Sequence, residues 1–463
     1  MKRYYVASLL VAAAIASLFF FPIETASPFT VFTAKDPGVR SGAYAGDPLP
    51  NLTPGQQALF DASKAEFMED EDVGDGLGPT MNLNSCAGCH AQPAVGGSSP
   101  RVNPQVAFAT KDGMTNVVPP FILPNGPVLE VRFVKNPDGS RDGGVHSLFT
   151  IQGHPDAPRC NCSQPDFARA IANDNAIFRI PTPLFGAGLI EQIQDSTILA
   201  NQAANAAMKR ALGIRGRPNI VLAGNAVSGQ PNFNGNDGTA ARFGWKAQNK
   251  SLLLFAGEAY NVEMGITNEL FQTERDETDG CVDVSTPNNV TNTETQDAVE
   301  AVSAIEKFAF FMRFLAPPKP SPTFPGSAAS IARGESKFSE IGCAQCHTPT
   351  LYTGYSAVAA LSKQPVNLYS DLLLHDMGSG LADGVRQGQA GPREFRTAPL
   401  WGLGQRLFFL HDGRTSDLLI AIQQHRSGSI RTGDASEANA VVWNFHQLPE
   451  LDKQHVLNFL RSL

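Results

Sequence analysis

At 463 residues, with 42% hydrophobic and 17% charged side chains, the chain exceeds the size of one ordinary core and has the make-up of a folded soluble protein. Its formal net charge of −8, with no basic run or stripe, excludes nucleic acid as an expected partner. The 42 glycines and 33 prolines favour a loop-rich fold over a pure helical bundle.

Lys2 and Arg3 open the chain and precede an uncharged apolar stretch at residues 4–21. Small residues at 22–27 (PIETAS) offer a cleavage point after Ala26, so residues 1–26 read as an export signal. Left uncleaved, residues 4–21 approach spanning length and form a membrane anchor; only then is a membrane a partner. Either way the rest of the chain is expected outside the cytoplasm, in the periplasm. At residues 53–56, Thr-Pro-Gly-Gln makes a capping box with proline in the first turn and predicts a helix through Phe67. An acidic, glycine-rich loop follows at residues 69–78. Further on, residues 128–134 alternate like a strand, and residues 147–151 are apolar and β-prone. Helices are predicted over 193–212 and 298–315, with a polar Asn/Thr-rich loop at 280–297 between them. The proline cluster at 317–322 (PPKPSP) cannot continue a helix and acts as a spacer. It sets an N-terminal domain at 27–316, a linker at 317–325 and a C-terminal domain at 326–463. The latter opens on a helix at 327–338 and closes on one at 451–463.

Each domain holds the pentapeptide Cys-x-x-Cys-His just after a helix, as Cys86, Cys89, His90 and as Cys343, Cys346, His347. This is the attachment signal for c-type haem. Two thiols one turn apart can each form a thioether to a porphyrin vinyl group, and the adjacent histidine faces the iron. Two copies far apart imply two covalently attached haems. The second axial position decides function: closed by protein on both sides, the haem carries electrons; open, it meets an oxidant. In the C-terminal domain the residues alone leave His375, Met377, His411 and His425 as rival ligands. Cys160, Cys162 and Cys281 lie outside the motifs. They form either a disulfide of Cys281 with Cys160 or Cys162, or three free buried thiols.

A series of further motifs runs through most of the chain: GLGPTMNLNSCAGCH at 76–90, FRIPTPLFGAGLIEQI at 178–193, RFGWKAQ at 242–248 and NVEMGIT at 261–267. It continues with SDLLLHDMGSGLADG at 370–384, FRTAPLWGLG at 395–404 and FLHDGRTSDLLIAIQQH at 409–425. In this order they resemble the di-haem oxidoreductase, thiol-oxidoreductase-like branch of proteins related to the bacterial di-haem cytochrome c peroxidases. The resemblance implies a mainly α fold with long loops and a few short strands. It would comprise two cytochrome c-like haem domains, the first with a large insertion.

Carried over residue by residue, the resemblance makes Glu263 of the Asn-Val-Glu-Met stretch the distal acid above the first haem. Trp245 becomes a relay between the haems. Phe255, ten positions after Trp245, stands where the peroxidases place a glutamine; it removes a donor and makes the pocket more apolar. His425, fourteen positions after His411, takes the place of the sixth ligand of the second haem and would pair with His347, with Met377 as its rival. Arg396 and Arg414 are candidate partners of haem propionates. Ca²⁺ is weakly supported, because residues 404–409 lack the family's Thr-x-Pro and the loop at 70–75 lacks a closing glutamate. The expected activity is peroxidase-like: a small redox donor (a cytochrome c, a cupredoxin or a quinol-linked carrier) reduces the second haem. Electrons then reach a peroxide or another small oxidant at the first. The alternatives are a di-haem electron carrier, with His146 or His154 capping the first haem, and an oxygenase or protein-oxidising enzyme.

Overall fold

Helix propensity and capping, more than strand pairing, shape this chain in its computed structural model, which describes residues 32–41, 45–160, 163–222, 225–226, 231–232, 237–275 and 287–463. The export signal and Cys162 and Cys281 lie outside the described residues, as does part of the 280–297 loop. No helix among the described residues is long and apolar enough to cross a membrane. Residues Ala34–Leu463 form one compact unit.

Helix α1 (Pro54–Phe67) starts as the sequence predicts: Thr53 caps the Gln56 N–H while Gln56 reaches back to the Thr53 N–H. It leads to the short helix α2 (Cys86–Cys89). Strand β1 (Glu130–Phe133) pairs antiparallel with β2 (Ala176–Arg179), in a register that sets Glu130 opposite Arg179. Residues 147–151 form no strand. Leu148, Phe149 and Ile151 are almost fully buried in irregular backbone, and a short apolar run cannot by itself distinguish a strand from such a segment.

The helix predicted over 193–212 is two helices, α3 (Asp195–Ala203) and α4 (Ala206–Leu212). They break at Ala204, which is extended, and Asn205, which is left-handed at φ 54°, a conformation asparagine tolerates. Helix α5 (Leu252–Met264) is capped by the Ser251 hydroxyl on Leu254 N–H and ends at left-handed Gly265. The helix predicted over 298–315 also breaks, into α6 (Ala298–Ala301) and α7 (Ala304–Phe314). Val302 and Ser303 are extended, and the Glu306 carboxylate takes the Ser303 N–H at 3.2 Å, so a second start signal interrupts the run.

Helix α8 (Ala328–Glu340), strands β3 (Leu374–Asp376) and β4 (Glu394–Arg396), and helices α9 (Leu418–Gln424), α10 (Asn439–Gln447) and α11 (Glu450–Ser462) complete the elements that matter here. The larger core gathers α1, α5 and α7, with Phe67 and Phe311 ring centroids 4.7 Å apart and Tyr260 edge-on to Phe308 at 5.1 Å. It also takes in Leu351, Leu368, Leu373, Phe395 and Trp401 from the second half of the chain. The smaller core joins α8 to α11 through Phe338 and Phe459. Those helices approach closely at Gly334, where a Cβ would sit 1.9 Å from the His455 carbonyl oxygen. The architecture is thus mainly helical, with small two-stranded sheets.

Candidate functional site

The two Cys-x-x-Cys-His motifs sit in equivalent frames. Phe67, the last residue of α1, lies edge-on to the His90 ring at 6.0 Å; Phe338, near the end of α8, lies 6.2 Å from the His347 ring. His90 Nδ1 meets the Gly97 carbonyl at 2.9 Å and His347 Nδ1 meets the Tyr369 carbonyl at 3.0 Å. A ring fixed through Nδ1 offers Nε2, the usual way a protein orients a metal-binding imidazole. Burial lowers both imidazoles to about 4, with His425 adding to the effect on His347, so both are neutral and ready to ligate. All four cysteines are free.

Each motif opens on a cavity. The first is lined by Cys86, Cys89, His90, Trp245, Phe255, Tyr260 and Glu263, among others. The second is lined by Cys343, Cys346, His347, Met377, Arg396, Arg406 and His425, among others.

Helix α5 presents Phe255, Glu258, Ala259, Val262 and Glu263 to the first cavity, the spacing of one helical face. Burial raises the Glu263 carboxyl to about 8; Glu130 and Glu258 add to this and Arg132 opposes it. Phe255 does line this cavity and stacks on Phe243 at 6.1 Å. Asn82 was not singled out from the sequence. Its backbone N–H donates to the Glu263 carbonyl at 2.7 Å. Its side-chain amide is 4% exposed, lines the cavity and has no protein partner on either polar atom. Such a buried amide fits a polar ligand there. His146 and His154 do not line the cavity. His146 stacks on Phe133 at 3.8 Å and meets Asp142 at 2.7 Å, and His154 accepts from the Asp156 N–H at 3.2 Å.

In the second cavity His425, the residue that caps the C-terminus of α9, holds its Nδ1 on the Ala421 carbonyl at 2.8 Å, as His90 and His347 do on theirs. Met377 lines the same cavity. His375 is held on both ring nitrogens, by Glu437 at 2.8 Å and Asp371 at 2.9 Å, and lies 3.7 Å from the Cys346 sulfur. Cys346, Asp371 and His375 thus have the composition of a small metal cluster. Two carboxylates already occupy that imidazole, and the sulfur belongs to the haem motif. Arg396 and Arg406 both line this cavity, and burial lowers both to about 10. Among the described residues no carboxylate pairs with either guanidinium. Two such cations fit the two propionates of a haem. Arg414 lies elsewhere: Asp412 at 2.6 Å and the Gly380 carbonyl at 2.8 Å hold it, and it lines neither cavity.

Trp245 lines both cavities. Its indole N–H donates to the Ile180 carbonyl at 2.9 Å, and its ring lies 6.5 Å from that of His411, which in turn stacks on Phe395 at 4.3 Å. No sequence signal marked His411 as Trp245's neighbour. Cys160 is disulfide-bonded, and its partner lies outside the described residues.

No curated protein matches the chain. Among solved structures it is similar to a Kuenenia stuttgartiensis hydrazine synthase pressurised with xenon, at 16% identity and a TM-score of 0.23, over 36% of this chain and 56% of that one. The chain therefore spans little more than half of that neighbour. A family described as "Di-haem oxidoreductase, putative peroxidase" matches residues 129–463, a stretch that contains the second motif, Trp245, Glu263 and His425 and begins after the first motif. With paired cysteine–histidine cavities and a match over most of its length, the chain belongs to the di-haem oxidoreductase family.

Proposed function

We propose that this chain is an exported di-haem c-type oxidoreductase that reduces a peroxide in the cavity beneath Glu263. In this reading Cys86, Cys89 and Cys343, Cys346 would hold two haems covalently, with His90 as an iron ligand of the first and His347 and His425 as iron ligands of the second. Arg396 and Arg406 hold propionates of the second haem. The haems supply single-electron storage and, at the first, a position where the oxidant binds. Electrons from a small redox protein enter at the second cavity and pass by Trp245 and His411 to the first.

Glu263 does the proton work. A carboxyl group poised near 8 can take the proton from one peroxide oxygen and return it to the other, so that the O–O bond breaks with water leaving. Asn82 hydrogen-bonds the bound oxidant, and Phe255 with Phe67 and Phe308 keeps bulk water out. The reading rests on one observation above all: a buried, protonatable carboxyl shares a cavity with a Cys-x-x-Cys-His motif, while Trp245 lines both cavities.

The test is EPR on the haem-loaded wild type beside Glu263→Gln and His425→Ala. The proposal expects one high-spin and one low-spin ferric signal in the wild type. His425→Ala should convert the low-spin signal, and Glu263→Gln should keep both while lowering peroxide turnover about 10²- to 10⁴-fold. Two low-spin signals would make the protein a carrier instead. The apolar Phe255 supports a second reading, an oxidant of other substrates. Peroxide would then leave a long-lived oxidised species instead of turning over rapidly with a reduced cytochrome.

A further inference from the structure

Reducing hydrogen peroxide to two waters consumes two electrons and two protons: the O–O bond breaks, and the redox protein that gives up the electrons is oxidised. A buried cavity needs a way in for those protons. We infer that Glu71 and Tyr260 form that entry, a relay from the exposed acidic loop into the first cavity; the inference rests on the peroxidase reading above.

The acidic loop at residues 69–78 shows how. Glu69, Asp70 and Asp72 are exposed, whereas Glu71 between them turns inward and is 9% exposed. Its carboxylate accepts the Tyr260 hydroxyl at 2.7 Å. Tyr260 is buried, lines the first cavity, and stands three residues before Glu263 on α5, a spacing that puts both on one helical side. The order from solvent inward is therefore acidic loop, Glu71, Tyr260, cavity, Glu263.

The surroundings suit proton passage. Burial raises Glu71 to about 7, against the Tyr260 hydrogen bond; Asp75 and Glu69 of its own loop and Glu66 of α1 raise it further. Lys307 of α7 is paired with Glu66 at 2.8 Å. A group half-protonated near neutrality both gives and takes protons readily. Burial first, then Glu71, pushes the Tyr260 hydroxyl well above its ordinary value. It therefore stays neutral: once Glu71 is protonated, the hydroxyl turns to accept that proton and passes its own inward, to a Glu263 carboxylate that has given its proton to the peroxide. A carboxylate serving only to anchor the loop would be equally content fully ionised at the surface.

The test uses the full haem-loaded chain. Proton uptake on photoreduction is followed with a pH-indicator dye, and the solvent deuterium isotope effect on kcat for hydrogen peroxide is measured alongside. Glu71→Gln and Tyr260→Phe should each slow proton uptake about tenfold and enlarge the isotope effect, with KM and the haem absorption spectrum unchanged. Glu71→Asp, which keeps a carboxyl, should restore part of the rate. Wild-type uptake rates in both Glu71→Gln and Tyr260→Phe would overturn the relay and leave the bond a structural anchor. Should Glu71→Gln fail to fold, Tyr260→Phe decides alone. A wild type that takes up protons at a rate these variants slow, yet turns over no peroxide, would sink the peroxidase reading and leave the relay standing.

Discussion

Glu263 ties site chemistry to stability through one proton. Its carboxyl is raised from 4.5 to about 8 in the folded chain. Below the unfolded value it is protonated in both states; between the two values only the folded chain keeps the proton. Stability is therefore fully present at low pH and is lost as pH rises through about 8. Glu263→Gln removes that slope, so its melting temperature should gain on the wild type's across this window, read by calorimetry at a series of pH values. A flat difference would mean that the carboxyl is already ionised in the folded chain. The second residue-level test concerns the iron of the second cavity. Met377→Ala should keep the low-spin signal and His425→Ala should lose it, since only His425 has the backbone-anchored ring that marks the other two histidines. The two haem motifs were legible in the sequence because Cys-x-x-Cys-His spacing is chemically restrictive, whereas Glu263 was reached only through the family resemblance; the first motif and Glu263 line the same cavity. Asn82, Arg406 and Tyr260 were not legible. Each belongs to a cavity only through the meeting of segments far apart in the chain, and an isolated Asn, Arg or Tyr carries no local signature of that.

At the scale of elements, start signals decided where sequence reading held. The capping box at Thr53 gave α1 its observed start. The long helices predicted over 193–212 and 298–315 each broke, one at a left-handed asparagine and one at a second cap, because apolar periodicity runs straight through a two-residue interruption. Close approach is the other device that periodicity hides. Gly334 lets α8 lie against the backbone of α11, and a methyl group there would overlap the His455 carbonyl. Gly334→Ala should therefore cost about 1–3 kcal/mol by forcing the helices apart, seen as an earlier midpoint in urea. Because α8 carries Phe338 to the His347 ring, the same variant should broaden the second haem's absorption band while leaving the first unchanged.

Across the whole molecule, one buried charge network links distant segments. Asp383 accepts from Arg179 of β2 at 2.7 Å and meets the Lys246 ammonium at 3.0 Å, and all three side chains are almost wholly enclosed. Burial lowers Lys246 to about 8 despite Asp383, so this cation is held close to losing its proton. Asp383→Ala would leave two cations buried without their counter-ion and should destabilise the fold by about 3–5 kcal/mol, measured by chemical denaturation. Asp383→Asn should cost less than Asp383→Ala, since its amide oxygen still accepts on one side, although its NH2 then faces a donor on the other. Trp245 and Lys246 are sequence neighbours, so the strut that fixes the fold also fixes the indole that lines both cavities. Trp245→Phe should slow electron passage between the haems without changing either spectrum, as followed by flash reduction. The cations of the second cavity have the opposite character. Arg396 and Arg406 line one cavity with no carboxylate paired to either among the described residues, so they raise the energy of the haem-free chain. Two propionates would balance that charge, so occupancy of the second cavity and stability of the chain are coupled: haem-loaded protein should melt higher than the haem-free chain.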